Sequence, residues 1–230
     1  MGLEVIAAKR SIVMGVIIVL QLLEGILYIV GLTGWSKKHD DVLATNWAYS
    51  VSASDNENLV IYGLRNFMTA DLDNDDTSNE VDYEDCADDA DYCKNCEDAG
   101  KAAIGLTLMG FFFLGGVLIV SGVRFMPKLD SKNIKIASII LILFQLLWSV
   151  SAIANWKNSC MENLPVVIGT TQEIKTGPGY NCIATCVAFT SLTLVVHLLM
   201  PGSVNDELNQ PLATEEQENS SAAEGEKNQV

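Results

Sequence analysis

Residues Ser11–Leu32 read SIVMGVIIVLQLLEGILYIVGL, twenty-two residues with one formal charge, at Glu24. A helix of ~20 apolar residues is long enough to cross the ~30 Å hydrocarbon core of a bilayer. Three further runs of this kind follow, at Ala102–Val123, Ile134–Trp156 and Gly179–Met200. Backbone groups in lipid must bond within their own segment, so all four are read as helices. The chain is therefore expected to be a multi-pass membrane protein: an all-α transmembrane four-helix bundle, with its remaining structure in the links.

The charges are segregated from these runs. The 230 residues carry a formal charge of −15, concentrated in the long link 33–101 and in the tail 201–230. The short link 124–133 instead holds Arg124, Lys128 and Lys132, with Lys135 just beyond, and Lys9 and Arg10 precede the first run. By the bias of Lys and Arg toward cytoplasmic loops, both termini are expected inside, with the link 33–101 and the link 157–178 outside. The first run is too long for a signal-peptide core and lacks a small-x-small cleavage site. Ile6 stands where myristoylation needs Ser or Thr. The acidic balance carries no expectation of nucleic acid.

The first link reads in two halves. Asn46–Ser52 and Glu57–Met68 are rich in β-formers and read as strands of a small extracellular antiparallel β-sheet, with Trp47, Tyr62 and Phe67 as candidate recognition residues. Between Asp71 and Asp98 lie thirteen carboxylates and almost no large apolar residue, which reads as a solvated, disulfide-pinned excursion. Asp71, Asp73, Asp75 and Asp82 fall at places 1, 3, 5 and 12 of a calcium-loop spacing. The sixth place is Asp76 where the turn needs Gly, so an EF-hand is rejected and only weak calcium association is expected. In the second outer link Val166-Val167-Ile168 is a candidate edge strand, and Gly177-Pro178-Gly179 turns the chain into the last helix. The tail is read as disordered. Its final Val230 suits the pocket of a PDZ-type partner, although Asn228 replaces the usual Ser or Thr.

All six cysteines avoid the expected cytoplasmic segments, which fits structural disulfides at an oxidising face. Cys160 and Cys182 stand at opposite ends of the second link and are expected to pair. Cys86 is expected to pair with Cys93 or Cys96, since a Cys93–Cys96 ring is short and strained. The C-x-x-C of Cys93 and Cys96 has neither a second pair nor a nearby His, so no metal is assigned.

Within the membrane Glu24 is the residue that demands a partner. A carboxyl group at that depth faces the bundle, and Gln145, Ser149 or Thr190 is expected within hydrogen-bond reach. A lone intramembrane carboxylate is a weak basis for a transport path. His197 is read as an interfacial side chain. No G-x-S-x-G, P-loop or G-x-G-x-x-G occurs, so neither an enzyme nor a cofactor is expected.

Taken together, these features resemble the claudin / peripheral-myelin-protein superfamily, including its amastin-like relatives. Trp47 followed by Gly63-Leu64 and spaced cysteines is similar to the family's W…GLW…C…C pattern. Gly100-Lys101-Ala102-Ala103 resembles its entry to helix two, and Asn155-Trp156 with Gly177-Pro178-Gly179 brackets the second outer link. Arg65 stands where the family has its second Trp, and Cys96, Cys160 and Cys182 depart from it. The last two look more like MARVEL-domain proteins, while tetraspanins fit worse because their large loop is the second. The resemblance implies a claudin-like plasma-membrane protein for lateral assembly, cell adhesion at cell junctions or membrane organisation. Its partners would be the lipid bilayer, further copies of itself or other membrane proteins. The alternatives are an auxiliary subunit of a channel or receptor complex and a MARVEL-type vesicle protein.

Overall fold

Four long helices carry the apolar runs. A computed structural model of the chain describes residues 2–34, 36, 39–51, 58–71, 79–86, 91–126, 129–164 and 173–200. Within it α1 spans Gly2–Thr33, a short α2 His39–Thr45, α3 Asp91–Phe125, α4 Lys132–Ser159 and α5 Pro178–Leu199. All but α2 are long and apolar enough to cross a membrane. Large apolar side chains point away from the protein along each of them, including Leu22, Phe112, Leu147 and Leu199. Water would not tolerate that surface, whereas lipid does. The chain is a multi-pass membrane protein by this measure.

The helices form a ring in which α1 neighbours α3 and α5, and α4 neighbours the same two. Each turns an uninterrupted seam inward at alternating spacings of three and four. On α1 it is Arg10, Met14, Ile17, Gln21, Glu24, Tyr28 and Gly31. On α4 it is Ser138, Ile142, Gln145, Ser149, Ala152 and Trp156, and on α5 Gly179, Ile183, Cys186, Thr190, Thr193 and His197. The α3 seam begins at Cys93 and runs through Gly100, Thr107, Leu114 and Ser121 to Arg124. This heptad spacing is that of helices packed at a shallow left-handed crossing.

That seam explains why α3 starts at Asp91, well inside the stretch expected to be a solvated excursion. Cys93 and Cys96 lie on the helix face that continues the seam, so the acidic residues around them are its exposed side. Asp91 in the first turn favours the helix dipole, and Lys101 pairs with Glu97 four residues earlier. At the other end of the bundle Ser131 caps α4, accepting from the Ile134 amide at 3.4 Å.

A five-stranded antiparallel sheet sits at one end of the bundle. Its strands are β1 (Ala48–Val51), β2 (Asn58–Tyr62), β3 (Asn66–Asp71), β4 (Asn79–Asp82) and β5 (Glu173–Thr176), in the order β4-β3-β2-β1-β5. The stretch Glu57–Met68, expected to be one strand, is a hairpin that turns at Gly63-Leu64-Arg65. Tyr62 is paired with Phe67 and the Gly63 amide donates to the Asn66 carbonyl at 2.8 Å. Val166-Val167-Ile168 lies outside the described residues; among those described, the second link contributes β5, paired with β1. Alternation sorts the sheet's two faces. Ile61 and Met68 are register partners and pack with Val42 of α2, while Ala48, Val60, Tyr62, Phe67 and Ile174 join the core at the helix ends.

Glycines set the seating of the sheet. A Cβ at Gly100 would run into the Leu64 backbone, and at Gly177 into that of Asn46. The Gly177 amide donates to the Trp47 carbonyl at 3.0 Å and the Gly179 amide to that of Asn46 at 2.9 Å, which carries the β1–β5 ladder into the first turn of α5. The Leu64 amide donates to the Gly34 carbonyl at 2.9 Å, fixing the hairpin turn to the end of α1.

Two disulfides reinforce this end, and one expectation for them is corrected. Cys86 is bonded to Cys93, one of the two expected pairs, but Cys160 is bonded to Cys96 and Cys182 is free. The reason is the length of α3. Its first turns reach beside the C-terminal cap of α4, bringing Cys96 to a Cα separation of 4.4 Å from Cys160. Cys182 is already four residues inside α5, ~6 Å along the helix, with a half-buried side chain.

Candidate functional site

The seam positions inside the membrane segments are unusually polar, and they are arranged in layers. Glu24 occupies the middle one. Gln145 donates from Nε2 to Glu24 Oε2 at 3.1 Å and to Thr190 Oγ1 at 3.0 Å, and Thr190 Oγ1 donates to Glu24 Oε1 at 3.1 Å. Three helices thus close a ring of three hydrogen bonds around one buried carboxyl group. The expected partners Gln145 and Thr190 are both present, and Glu24 is buried as expected.

One layer closer to the sheet, Tyr28 and Ser149 are hydrogen bonded. Ser149 gives its own proton to the Gln145 carbonyl at 2.9 Å, which leaves the tyrosine to donate. Space for that phenol comes from α3, where a Cβ on Gly110 would lie 3.0 Å from the Tyr28 oxygen. Cys186 Sγ contacts the Glu24 carbonyl at 3.6 Å on the α5 side.

Toward the opposite end of the bundle lies a second network, whose arginines were expected in the aqueous links and whose histidine was expected at the interface. Gln21 donates to Ser121 Oγ at 3.0 Å. His197 is fully buried, with its Nδ1 at 2.7 Å from an Arg124 terminal nitrogen and 3.0 Å from Ser138 Oγ. A guanidinium donates and never accepts, so Nδ1 carries no proton and Nε2 faces Ser121 Oγ at 3.5 Å as the N–H. Beyond it Asp130 lies between Arg10, to which it is ion paired, and Arg124 Nε at 3.5 Å. His197 is therefore an internal residue and not an interfacial side chain. Arg10 and Arg124, counted above as cations of the aqueous loops, are buried in an ion cluster. The available signal was Asp130, the one carboxylate in a short link otherwise basic.

What this column does chemically is hold. Glu24 with Gln145 and Thr190, Tyr28 with Ser149, Gln21 with Ser121, and His197 with Ser138 and Arg124 each bond across helices, and in lipid such bonds specify which helices meet and in which register. Above it the core is apolar and closed. Trp47 meets Trp156 and Tyr180 edge-on at 5.7 and 6.0 Å and donates from Nε1 to the Gly31 carbonyl at 2.9 Å. Ile183, Ala103 and Leu114 fill the space beneath.

The recognition residues expected on the sheet are corrected by their burial. Trp47 is fully buried and Tyr62 is buried, while Phe67 is partly buried between Tyr62 and Tyr83 at 6.3 and 5.9 Å. They are spent on seating the sheet: Tyr62 and Phe67 lie on the strand face turned toward the helix ends, and Trp47, in the bend before β1, packs on Trp156 and Tyr180. Burial also pushes the phenols of Tyr62 and Tyr83 above the ordinary tyrosine range. The surface left at this end is charged, with Glu84 and Lys101 both more than half exposed and 3.5 Å apart.

Of the calcium set, the described Asp71 and Asp82 are not brought together. Asp73 and Asp75 lie outside the described residues, as does Val230. Asp71 ends β3 whereas Asp82 ends β4 opposite Asn66, so the two are separated by the length of the hairpin, ~17 Å. The spacing of a twelve-residue loop was satisfied in sequence, but Asp71 closes β3 at one end of the β3–β4 ladder and Asp82 closes β4 at the other. Comparison with known proteins gives no match, either to a family model or to a curated protein.

Proposed function

We propose that this protein is a claudin-like plasma-membrane component, non-enzymatic, with both termini cytoplasmic and the sheet outside the cell. It would serve lateral assembly, adhesion or membrane organisation. The observation that carries the reading is the seating of a five-stranded antiparallel sheet on one end of a four-helix bundle. The first link supplies four strands and the second supplies the fifth beside β1. The polar column supports a scaffold over a conduit, since its carboxyl, amide and imidazole groups bond to neighbouring helices and an aromatic core caps it. With Trp47 and Tyr62 internal, recognition falls to the charged rim of the sheet and the acidic link.

Affinity purification of the full chain in mild detergent, paired with a mixed-cell aggregation assay, tests this. Recovery of self-associated protein and aggregation of expressing cells are expected. Stoichiometric recovery of a larger pore-forming protein, with no aggregation, would replace the reading with that of an auxiliary subunit. Steady-state labelling on internal vesicles would replace it with the MARVEL-type alternative.

A further inference from the structure

We infer that the seam between α1 and α3 binds one zwitterionic phospholipid in the leaflet nearest the sheet. Three adjoining hollows form a single path there. The first, of about 230 Å³, lies at the sheet end and is lined by Arg65, Lys101, Asp82, Glu84, Glu97 and Ile104 among others. The second shares Arg65 and descends along Leu32 and Ile29 of α1. The third shares Ile29 and is a long apolar groove of about 860 Å³ between the two helices, with Leu108, Phe112 and Gly115 on its α3 wall.

The path has the dimensions and polarity of such a lipid. On α3 the apolar groove runs from Leu108 to Ile119, eleven residues of helix or ~16 Å, close to half the ~30 Å hydrocarbon core. The apolar groove therefore accommodates an acyl chain of one leaflet, and the charged hollow falls at headgroup depth. That hollow contains both signs of charge. Lys101 is already occupied by Glu97 and Glu84. Arg65 makes no ion pair among the described residues, which leaves its guanidinium for a phosphate. The mouth is lined by both cations and carboxylates, so a headgroup that carries both signs is favoured over a purely anionic one. The hollow is also rigid. The turn that presents Arg65 is held by the Leu64 amide on Gly34 and by Gly100 of α3, where no side chain fits beneath it. A sterol would leave the charges at the mouth unmatched, and a second copy's helix would fill the groove while ignoring them.

The test is native mass spectrometry of the full chain in detergent, incubated with equimolar phosphatidylcholine and phosphatidylglycerol of identical acyl chains. A one-to-one phosphatidylcholine adduct is expected, favoured by about fivefold or more over phosphatidylglycerol. Arg65→Glu removes the phosphate contact, and the adduct is expected to fall by about fivefold or more. Gly115→Phe blocks the groove at a position where an added Cβ meets nothing, so the fold is retained and the adduct is expected to be lost. Thermal melting of both variants checks that they are folded. Equal retention of the two lipids, adducts unchanged in either folded variant, displacement by a sterol, or a dimer that Gly115→Phe alone dissolves would each overturn the proposal.

Discussion

Glu24 shows how little a single residue's cost says about its role until its partners are known. Its carboxyl group is surrounded by Gln145 and Thr190, so replacing it by Gln keeps the shape and an acceptor. Unfolding in mixed micelles is expected to show a loss within about 1 kcal/mol for Glu24→Gln, in line with interhelical hydrogen bonds in membranes. Glu24→Leu instead strands a buried amide proton of Gln145, and about 1–3 kcal/mol is expected to be lost. Equal destabilisation by the two would mean that the charge and not the hydrogen-bond ring matters. The demand for a partner was legible in the sequence because a carboxyl group in lipid has no alternative. The burial of Arg124 and His197 was not, because both lie near a helix end, where water and protein are equally close along the chain.

For the helices, the deciding pattern is the alternation of three and four that each seam keeps. Helix α3 contributes Gly100 and Gly110 to its seam, and each glycine makes room for a specific neighbour, the Leu64 backbone and the Tyr28 phenol. Gly115, off the seam, faces open space. Gly100→Ala is expected to lower stability by about 1–3 kcal/mol as α3 and the hairpin are forced apart. Gly115→Ala is expected to leave it unchanged or raise it by up to about 1 kcal/mol through helix propensity. A thermal shift series on the two variants in one detergent checks both. Helix existence was legible from hydropathy, but the start of α3 at Asp91 was not. An acidic, Cys-rich stretch reads as solvated until a facing helix gives its cysteines a surface to pack on.

Across the whole molecule, the bond between Cys96 and Cys160 ties the start of the second spanning helix to the end of the third. Closing a loop of sequence separation 64 contributes about 4 kcal/mol in the chain-entropy model. Cys96→Ser is expected to remove most of that, leaving Cys160, Cys182 and Cys186 as free thiols countable by alkylation and intact mass. A Cys160–Cys182 bond formed in that variant would show the two sites to be in reach after all. The sheet's attachment should also be sensitive to alkali. Tyr62 and Tyr83 hold their protons more tightly when folded, because burial disfavours the phenolate. The unfolded chain ionises near pH ~10, so their contribution is complete below that and is lost as the pH rises above it. Tyr83→Phe is expected to shallow the alkaline loss of stability in a chemical denaturation series. An unchanged slope would mean that Tyr83 is not protected by the sheet.

The sequence alone determined the four spanning helices, the presence of strands in the first link and the inward facing of Glu24, since each follows from a local cost that lipid or water imposes on a short stretch. Tertiary structure decided the rest. Which cysteines pair, where Asp71 and Asp82 lie relative to each other, and whether Trp47 faces outward or inward depend on contacts between residues distant along the chain. The same holds for Arg10 and Asp130, 120 residues apart, whose charges look like solvated loop residues until the bundle closes and leaves each as the other's partner.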